Sequence, residues 1–320
     1  MNDGIRHRTV DSNGIRMHVA EAGDGPLVVL CHGFPEGWYS WRHQLAALAQ
    51  AGFHAVAPDQ RGYGSTDCPE AVSAYNIFQL VGDIVGLVKA LGENSAAIVG
   101  HDWGAPVAWY SALLRPDIFT ALVLVGVPYL PRPAVRPSQL MRVLAGDKIF
   151  YQEYFQQVGK AERELDADPD KSIRALLYSA SGDAAPKERW RYLFEPGERL
   201  SDTVRVPTKL PQWLSEKDVE FYAAEFRRNG FRGGLNWYRN VDFNWEMTPF
   251  LDGAKPSQPA LFIAGENDPV VEFYRQAYQA LETTLPGLRK KILLPGAGHW
   301  TQQERPREVN QLLVAFLQSL

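Results

Sequence analysis

Gly100-His101-Asp102-Trp103-Gly104 is the stretch that decides the fold, because it sets a carboxylate between two glycines where a strand meets a helix. The apolar run at 96–100 predicts a buried strand, and apolar residues at helical spacing follow from 103 onward. The glycines let the central residue take a strained turn, since larger side chains there would collide with neighbouring backbone. We predict that the turn lifts the Asp102 side chain above the edge of a sheet.

The strand and helix at this turn belong to a longer alternation. Short apolar runs bounded by Gly, Pro or Asp predict strands at 27–31, 53–57, 96–100 and 121–127. Between them, helical spacing of apolar residues predicts helices at 38–51, 76–91 and 103–114. This alternation is typical of an α/β fold with a doubly wound, mostly parallel sheet. Residues 15–21 alternate between apolar and polar and predict an antiparallel edge strand.

The pattern changes after residue 127, where four prolines between 128 and 137 interrupt the chain. Segments rich in aromatic and charged residues follow and predict helices. Strand and helix signals of the earlier kind return at 259–265, 270–285, 290–294 and 304–320. We therefore predict an α/β core formed by residues 1–129 and 251–320, with a mostly helical insertion, a lid, at 130–250.

An aspartate at the centre of the turn has a specific chemical consequence. A carboxylate with an unperturbed pKa of about 3.9 is ionised at neutral pH and needs no base to act as a nucleophile. It can attack a saturated carbon and form an ester, which water must then hydrolyse with the help of a base and an oxyanion hole. The alternative is that Asp102 only caps the helix that follows it.

Two residues near the end of the chain are the candidates for the base and its partner. Asp268 follows the strand at 259–265, and His299 follows the last strand. Because both come after the carboxyl ends of strands, we predict that His299 deprotonates water and that Asp268 orients its imidazole. Glu266 is the alternative acid. The remaining histidines lack such a position: His7, His18, His32, His43, His54 and His101.

The loop His32-Gly33-Phe34-Pro35-Glu36 follows the strand at 27–31 and is predicted to contribute to an oxyanion hole. Such a hole needs two converging N–H groups, which we assign to Phe34 and Trp103. Pro35 has no N–H, and a cis bond before it is compatible with this loop. We expect His32 to make a structural hydrogen bond within the loop, and the charged turn at 59–64 to support it.

These motifs, together with two segments of the insertion, resemble the soluble epoxide hydrolases, a family of α/β-hydrolases. The shared stretches are His-Gly-Phe-Pro at 32–35, Gly-His-Asp-Trp-Gly at 100–104, Tyr-Gln-Glu-Tyr-Phe-Gln at 151–156, Gly-Phe-Arg-Gly-Gly-Leu-Asn-Trp-Tyr-Arg-Asn at 230–240 and Gly-His-Trp-Thr-Gln at 298–302. The likeness covers essentially the whole chain, in the single-domain form of bacteria and plants, without the N-terminal phosphatase domain of mammalian members. It implies an α/β-hydrolase core with a helical lid, and conversion of an epoxide to a vicinal diol.

For the site, the resemblance implies that Tyr151 and Tyr238 hydrogen-bond the epoxide oxygen, with Tyr154 as the alternative to Tyr151. Two phenols aimed at this oxygen would stabilise the alkoxide formed when the ring opens, and one would protonate it. Aromatic lid residues such as Trp237 and Phe243 indicate an apolar substrate. The residues expected to contact substrate are Phe34, Trp103, Tyr151, Tyr154, Tyr238 and Trp300.

Two other classes of protein stay open. A haloalkane or fluoroacetate dehalogenase would use the same nucleophile, acid and base, and Trp103 is similar to the tryptophan that binds halide in haloalkane dehalogenases. A leaving halide needs N–H donors, whereas an epoxide oxygen needs acidic O–H donors, so the tyrosine pair favours the epoxide. A non-catalytic binding protein of this fold would be expected to lack one of Asp102, Asp268 and His299. A serine esterase would need Ser at position 102.

The composition of the chain limits the classes of molecule that it is expected to bind. The chain has 320 residues, a formal net charge of −4 and no basic tract, which argues against a nucleic-acid partner. Its two cysteines lack metal-ligand spacing, and the predicted chemistry needs no cofactor or metal. No apolar run is long enough to cross a membrane and residues 1–10 lack a signal-peptide pattern, so we expect a soluble cytoplasmic protein. The expected partners are a small epoxide and water, and formation of a homo-oligomer stays open.

Overall fold

The computed structural model describes residues 4–320, and ten strands occur in this part of the chain. They are β1 (Arg6–Ser12), β2 (Ile15–Ala22), β3 (Leu27–Cys31), β4 (His54–Pro58), β5 (Ala96–His101), β6 (Phe119–Val125), β7 (Ile149–Phe150), β8 (Leu193–Phe194), β9 (Ala260–Gly265) and β10 (Leu288–Leu294). Eight form one sheet in the order β1-β2-β4-β3-β5-β6-β9-β10. The β1–β2 and β2–β4 pairs are antiparallel and the other neighbours are parallel, which confirms the predicted sheet.

One edge of the sheet differs from the prediction. β2 is antiparallel as expected, but it lies between β1 and β4, so the edge strand is β1. The sequence of β1, RHRTVDS, is mostly polar and its side chains are mostly exposed. A strand that buries so little carries no apolar pattern to detect, and its charged side chains suit an edge that must not pair with other chains.

Helices cover both faces of this sheet. The α-helices are α1 (Arg42–Gln50), α2 (Ile77–Ala90), α3 (Gly104–Leu114), α4 (Pro137–Ala145), α5 (Tyr151–Gln156), α6 (Lys160–Leu165), α7 (Pro169–Ser179), α8 (Leu200–Thr203), α9 (Glu216–Asn229), α10 (Arg232–Tyr238), α11 (Val241–Met247), α12 (Pro269–Phe273), α13 (Arg275–Thr284), α14 (Thr301–Glu304) and α15 (Pro306–Leu317). Apolar side chains of α1 and α15 pack on one face. Those of α2, α3 and α13 pack on the other, as a doubly wound fold requires.

Three predicted helices are shorter or interrupted. The segment at 38–51 begins with a 3-10 turn, Trp38–Trp41, before α1. The segment at 270–285 is divided into α12 and α13, which meet at Tyr274. The segment at 304–320 is divided into α14 and α15 at Arg305, because Pro306 lacks an N–H and disfavours helical backbone in the residue before it.

The chain between β6 and β9 forms α4 to α11 and a short antiparallel pair, β7 with β8. The pair was not predicted, since two-residue strands are too short to show alternation. This insertion rests on loops of the core: the Trp237 indole N–H donates to the Arg61 carbonyl across 3.1 Å, and a Cβ at Gly233 would lie 2.3 Å from the Gly62 carbonyl oxygen. These loops follow the carboxyl ends of parallel strands, where open α/β sheets bind ligands.

Candidate active site

The turn at Asp102 has the geometry expected from the sequence. β5 ends at His101, α3 begins at Gly104, and Asp102 has a left-handed φ of 49°. A Cβ at Gly100 would lie 2.0 Å from the Gly104 carbonyl oxygen, and a Cβ at Gly104 would lie 2.0 Å from that of Cys31. Close backbone contacts therefore require both glycines, and they hold Asp102 in a conformation that non-glycine residues rarely adopt.

The two carboxylate oxygens of Asp102 have different partners. The Phe34 N–H donates to Oδ1 across 2.7 Å, whereas Oδ2 lies 3.6 Å from His299 Nε2. Burial alone would raise the pKa of Asp102, but the hydrogen bond and charge of His299 outweigh burial and hold that pKa below its usual value. The carboxylate is therefore ionised at neutral pH, with Oδ1 fixed by the backbone and Oδ2 beside the imidazole.

His299 lies between two carboxylates. Its Nδ1 is 3.1 Å from each oxygen of Asp268, and its Nε2 faces Asp102. Burial lowers the pKa of His299, but the charge of Asp268 and the interactions with Asp102 raise it well above its usual value. Asp268 also accepts the Val270 N–H across 2.8 Å at the start of α12, which fixes the carboxylate. Glu266, the alternative acid, is exposed.

His101 connects the His299 backbone to the loop at 32–36, a contact that sequence reasoning missed. Its ring is fully buried, with Nε2 donating to the His299 carbonyl across 2.8 Å and Nδ1 lying 2.6 Å from Glu36 Oε2. Burial raises the pKa of Glu36, but the charge and hydrogen bond of His101 outweigh it and lower that pKa. The only available signal was that His101 directly precedes Asp102 in the sequence.

The loop at 32–36 has the predicted form. The peptide bond between Phe34 and Pro35 is cis. His32 Nδ1 lies 2.9 Å from the Gly33 carbonyl oxygen, and His32 Nε2 accepts the Gln60 N–H across 3.0 Å, so the expected structural role of His32 is confirmed. Of the two N–H groups assigned to the oxyanion hole, that of Phe34 is hydrogen-bonded to Asp102, and that of Trp103 stays a prediction.

Asp102 and His299 line a cavity of about 30 Å³ beneath the insertion. This volume has room for about two or three waters, so lining side chains must move before a larger molecule binds. The other polar groups of the lining are the phenols of Tyr151 and Tyr238. The apolar lining consists of Phe34, Pro35, Phe155, Leu176, Ala180, Trp190, Val270 and Trp300.

Tyr151 and Tyr238 come from different helices of the insertion, α5 and α10, and their ring centroids are 5.9 Å apart. Both are buried, and the Gln152 amide donates to the Tyr151 hydroxyl across 2.9 Å. Burial, reinforced by the negative charge of Asp102, raises the pKa of each phenol well above its usual value. Both side chains therefore remain protonated phenols that can donate a hydrogen bond.

Two residues expected to contact substrate lie elsewhere. Tyr154 is buried, but its hydroxyl donates to Glu164 and the Lys160 ammonium lies 3.9 Å from the centre of its ring, so it faces away from the cavity. Tyr154 is therefore not among the residues that line the cavity, because its hydroxyl is held by Glu164 instead. Trp103 packs edge-on against Tyr238, with ring centroids 5.1 Å apart, and supports that ring from outside the lining.

The aromatic residues named in the sequence differ in position. Phe34 and Trp300, two of the residues expected to contact substrate, line the cavity, although the Trp300 indole N–H is already bonded to the Leu177 carbonyl across 2.7 Å. Trp237 is buried behind Trp103, with ring centroids 6.0 Å apart. Phe243 is 42% exposed and lies on the surface.

Several lining residues were missed by sequence reasoning. Phe155 lies within the motif at 151–156 and Val270 follows Asp268 closely, so both could have been found from their neighbours. Leu176 and Trp190 belong to parts of the insertion that show only ordinary helical or loop patterns, and they had no such signal.

Within residues 4–320, the structure contains no group of three or more His, Cys, Asp or Glu side chains placed to hold a metal ion. Nor is any helix of this part long and apolar enough to span a bilayer.

Comparison with known proteins shows which family this chain resembles. The family model described as the alpha/beta hydrolase fold matches residues 26–306. Epoxide hydrolase A of Mycobacterium tuberculosis is 46% identical over 315 residues, which cover 98% of this chain and 97% of that protein. An epoxide hydrolase from an endophytic Streptomyces has a solved structure with a TM-score of 0.95 and 48% identity, covering 98% of this chain and 96% of that one.

A second solved structure gives the same result. Epoxide hydrolase A from Mycobacterium thermoresistibile is 47% identical, with a TM-score of 0.93 and 98% of each chain covered. Identity at this level across nearly the full length of both chains shows common family membership, beyond a shared fold. The chain therefore belongs to the epoxide hydrolases of the α/β-hydrolase fold family.

Proposed function

We propose that this protein converts apolar epoxides to vicinal diols through a covalent ester on Asp102. The observation that carries the proposal is that one apolar cavity is lined by an ionised carboxylate and by two protonated phenols, those of Tyr151 and Tyr238. A carboxylate supplies the nucleophile for a ring carbon, and phenols supply the acid for the ring oxygen. These are the two groups that opening of an epoxide requires.

In the first step, Asp102 Oδ2 attacks one ring carbon and the bond between that carbon and the ring oxygen breaks. The electron pair of the broken bond stays on the oxygen, which takes a proton from Tyr151 or Tyr238, while the other phenol donates a hydrogen bond. Oδ2 is the nucleophilic atom because Oδ1 is occupied by the Phe34 N–H. The product is an ester whose carbonyl oxygen, Oδ1, already lies in the proposed oxyanion hole.

In the second step, His299 Nε2 takes a proton from water and the resulting hydroxide attacks the ester carbonyl carbon. Negative charge develops on Oδ1, where the Phe34 N–H and, in our proposal, the Trp103 N–H stabilise it. The tetrahedral intermediate then collapses by breaking the bond between the Asp102 carboxyl carbon and Oδ2, so that Oδ2 leaves with the diol. The leaving alkoxide takes the proton from His299, and the proton on the newly formed Asp102 carboxyl returns through water to the tyrosine.

We also propose that residues 130–250 act as a lid over a core of residues 1–129 and 251–320. Tyr151 and Tyr238 both belong to this segment, whereas Asp102, Asp268 and His299 belong to the core. The acid for the ring oxygen would thus come from the lid, and the nucleophile and base from the core. The apolar lining favours an apolar substrate.

Single turnover in ¹⁸O-labelled water tests the proposal, with enzyme in excess over styrene oxide as the probe. The oxygen added in the first turnover should be unlabelled, because it comes from Asp102, and label should appear in the enzyme. Label in that added oxygen during the first turnover would show direct attack by water. Asp102→Asn should abolish diol formation.

The reaction product distinguishes an epoxide hydrolase from a dehalogenase. We expect diol from epoxides and no halide from haloalkanes or fluoroacetate, since a halide needs N–H donors directed into the cavity. Trp103, which would have to supply one of them, packs against Tyr238 instead of lining the cavity. Halide release at a rate comparable to that of diol formation would contradict this choice.

A further inference from the structure

A buried carboxylate that the steps above do not use joins the loop of His299 to the insertion. This carboxylate belongs to Glu304, which is 5% exposed. We call residues 296–300 the base loop. Glu304 Oε2 accepts the Gly298 N–H across 2.9 Å, and Oε1 accepts the Trp300 N–H across 3.1 Å. One carboxylate therefore holds the amides on both sides of His299.

The insertion contributes the rest of the contact. Glu304 Oε2 also accepts the N–H of Gly182, across 3.0 Å. The N–H of His299 itself donates to the Ala180 carbonyl across 2.9 Å. Three consecutive amides of the base loop are thus directed either at Glu304 or at the segment of the insertion that Glu304 holds.

The two backbones meet without side chains between them. A Cβ at Gly298 would lie 2.1 Å from the Gly182 nitrogen, and a Cβ at Gly182 would lie 2.2 Å from the Gly296 carbonyl oxygen. Such direct contact leaves little freedom for the base loop to shift sideways. The remaining freedom is rotation of its peptide planes, which the Glu304 carboxylate restricts.

A carboxylate suits this position because all three partners are N–H donors and its two oxygens offer enough acceptor sites for them. An amide in its place would present an N–H₂ group to at least one of these donors, and two facing donors repel each other. Burial, reinforced slightly by Asp183 and opposed by the three N–H groups, raises the pKa of Glu304 to about 7. The three N–H groups therefore offset only part of the cost of burying the charged form.

We propose that Glu304 is a positioning residue that sets the orientation of His299 toward the ester on Asp102, so that it governs ester hydrolysis and leaves ester formation unaffected. This inference rests on the proposed function, in which His299 acts only in the second step. Glu304 touches neither the substrate nor the reacting atoms. It acts through the backbone on either side of the base.

The test compares Glu304→Gln with the wild-type enzyme and with Glu308→Gln, which changes an exposed carboxylate of α15. Each full-length protein is mixed with excess styrene oxide and quenched at intervals, and intact-protein mass spectrometry measures the ester. In Glu304→Gln we expect ester formation within about twofold of wild type and ester hydrolysis slowed by roughly 10- to 100-fold, as small misplacements of a catalytic group cause. The ester should therefore accumulate in this variant, and Glu308→Gln should behave as wild type.

Three outcomes would overturn the proposal. Equal slowing of both steps would assign Glu304 to attachment of the insertion, since Tyr151 and Tyr238 act in the first step. Unchanged rates of both steps would show that the base loop does not need the carboxylate. If Glu304→Gln does not fold, Glu304→Asp keeps the charge and permits the same comparison, and failure of both to fold would assign Glu304 to stability alone. Failure of the proposed function is distinct, because wild type itself would then form no ester on Asp102.

Discussion

His299 Nε2 and Asp102 Oδ2 are 3.6 Å apart, so the base and the nucleophile stabilise each other's charged forms. The interactions with Asp102 contribute to the raised pKa of His299, and His299 in turn lowers that of Asp102. This mutual stabilisation lasts only while Asp102 is a free carboxylate. Once Asp102 carries the substrate as a neutral ester, the support that it gave to the imidazolium is lost.

The first prediction concerns how pH affects ester formation and ester hydrolysis. Because the pKa of His299 is raised in the free enzyme, its imidazolium persists there to higher pH than usual. In the ester that pKa must fall, since one of two carboxylates has lost its charge, and the ring becomes a neutral base at lower pH. We expect the apparent pKa of ester decay to lie below the pKa of His299 in the free enzyme. NMR titration of His299 and single-turnover decay between pH 5 and 9 provide the two values, and equal values would contradict the prediction.

The second prediction concerns the base itself. His299→Gln should still form the ester, because Asp102 needs no base to attack, but hydrolysis should slow by roughly 100- to 10,000-fold. The trapped ester would appear as an added mass equal to one substrate molecule. His7→Gln, which changes an exposed histidine of β1, is the control and should turn over normally. Loss of ester formation in His299→Gln would mean that His299 also acts in the first step.

The third prediction concerns the hydroxyl groups of the two tyrosines in the proposed lid. Tyr151→Phe and Tyr238→Phe should each slow ester formation, by up to about 100-fold, because each removes one O–H donor to the developing alkoxide. The raised pKa of both phenols keeps them protonated, so this slowing should not vary between pH 6 and 9. Rapid-quench measurement of ester formation gives the rate.

Tyr154→Phe is the matched control for that experiment. It removes a hydroxyl of the same helix, α5, which is bonded to Glu164 and does not line the cavity. We expect the rate of ester formation to stay within about twofold of wild type, since a hydroxyl outside the cavity makes no bond in the transition state. An effect as large as that of Tyr151→Phe would restore Tyr154 as the first tyrosine of the pair.

The sequence was informative where a function depends on residues close together in the chain. The turn at Asp102 was predicted because two glycines and a strand-to-helix change fall within five residues. Asp268 and His299 could be placed because each follows a strand whose carboxyl end reaches the same edge of a parallel sheet. Tyr151 and Tyr238 needed family resemblance, since tyrosines on short helices of an insertion carry no local sign of where they point.

Contacts between distant segments could not be predicted. His101 and Glu36 are 65 residues apart, and Gly182 and Glu304 are 122 apart, yet the pairs are hydrogen-bonded across 2.6 Å and 3.0 Å. Such bonds depend on how loops pack after the sheet has formed, and neither residue of a pair has an unusual local pattern. The polar edge strand β1 was missed for a related reason, because its partner strand determines its structure more than its own sequence does.

The last prediction concerns stability and Glu304. Its pKa is raised from 4.5 to about 7 in the folded protein. Between these values the folded chain holds a proton that the unfolded chain releases, so the stability that this group contributes is complete below pH 4.5 and declines as the pH rises to 7. At 1.36 kcal/mol per pH unit, the decline is about 3 kcal/mol in the free energy of unfolding.

Glu304→Gln should remove this decline, because an amide does not titrate in that range. Urea unfolding at pH 5 and pH 8 measures it, with Glu308→Gln as the control for loss of one charge. Relative to wild type, Glu304→Gln should be more stable at pH 8 than it is at pH 5, by up to about 3 kcal/mol in the free energy of unfolding. A difference that is the same at both pH values would mean that Glu304 titrates alike in the folded and unfolded chain, and that the amides of Gly182, Gly298 and Trp300 fully compensate for its burial.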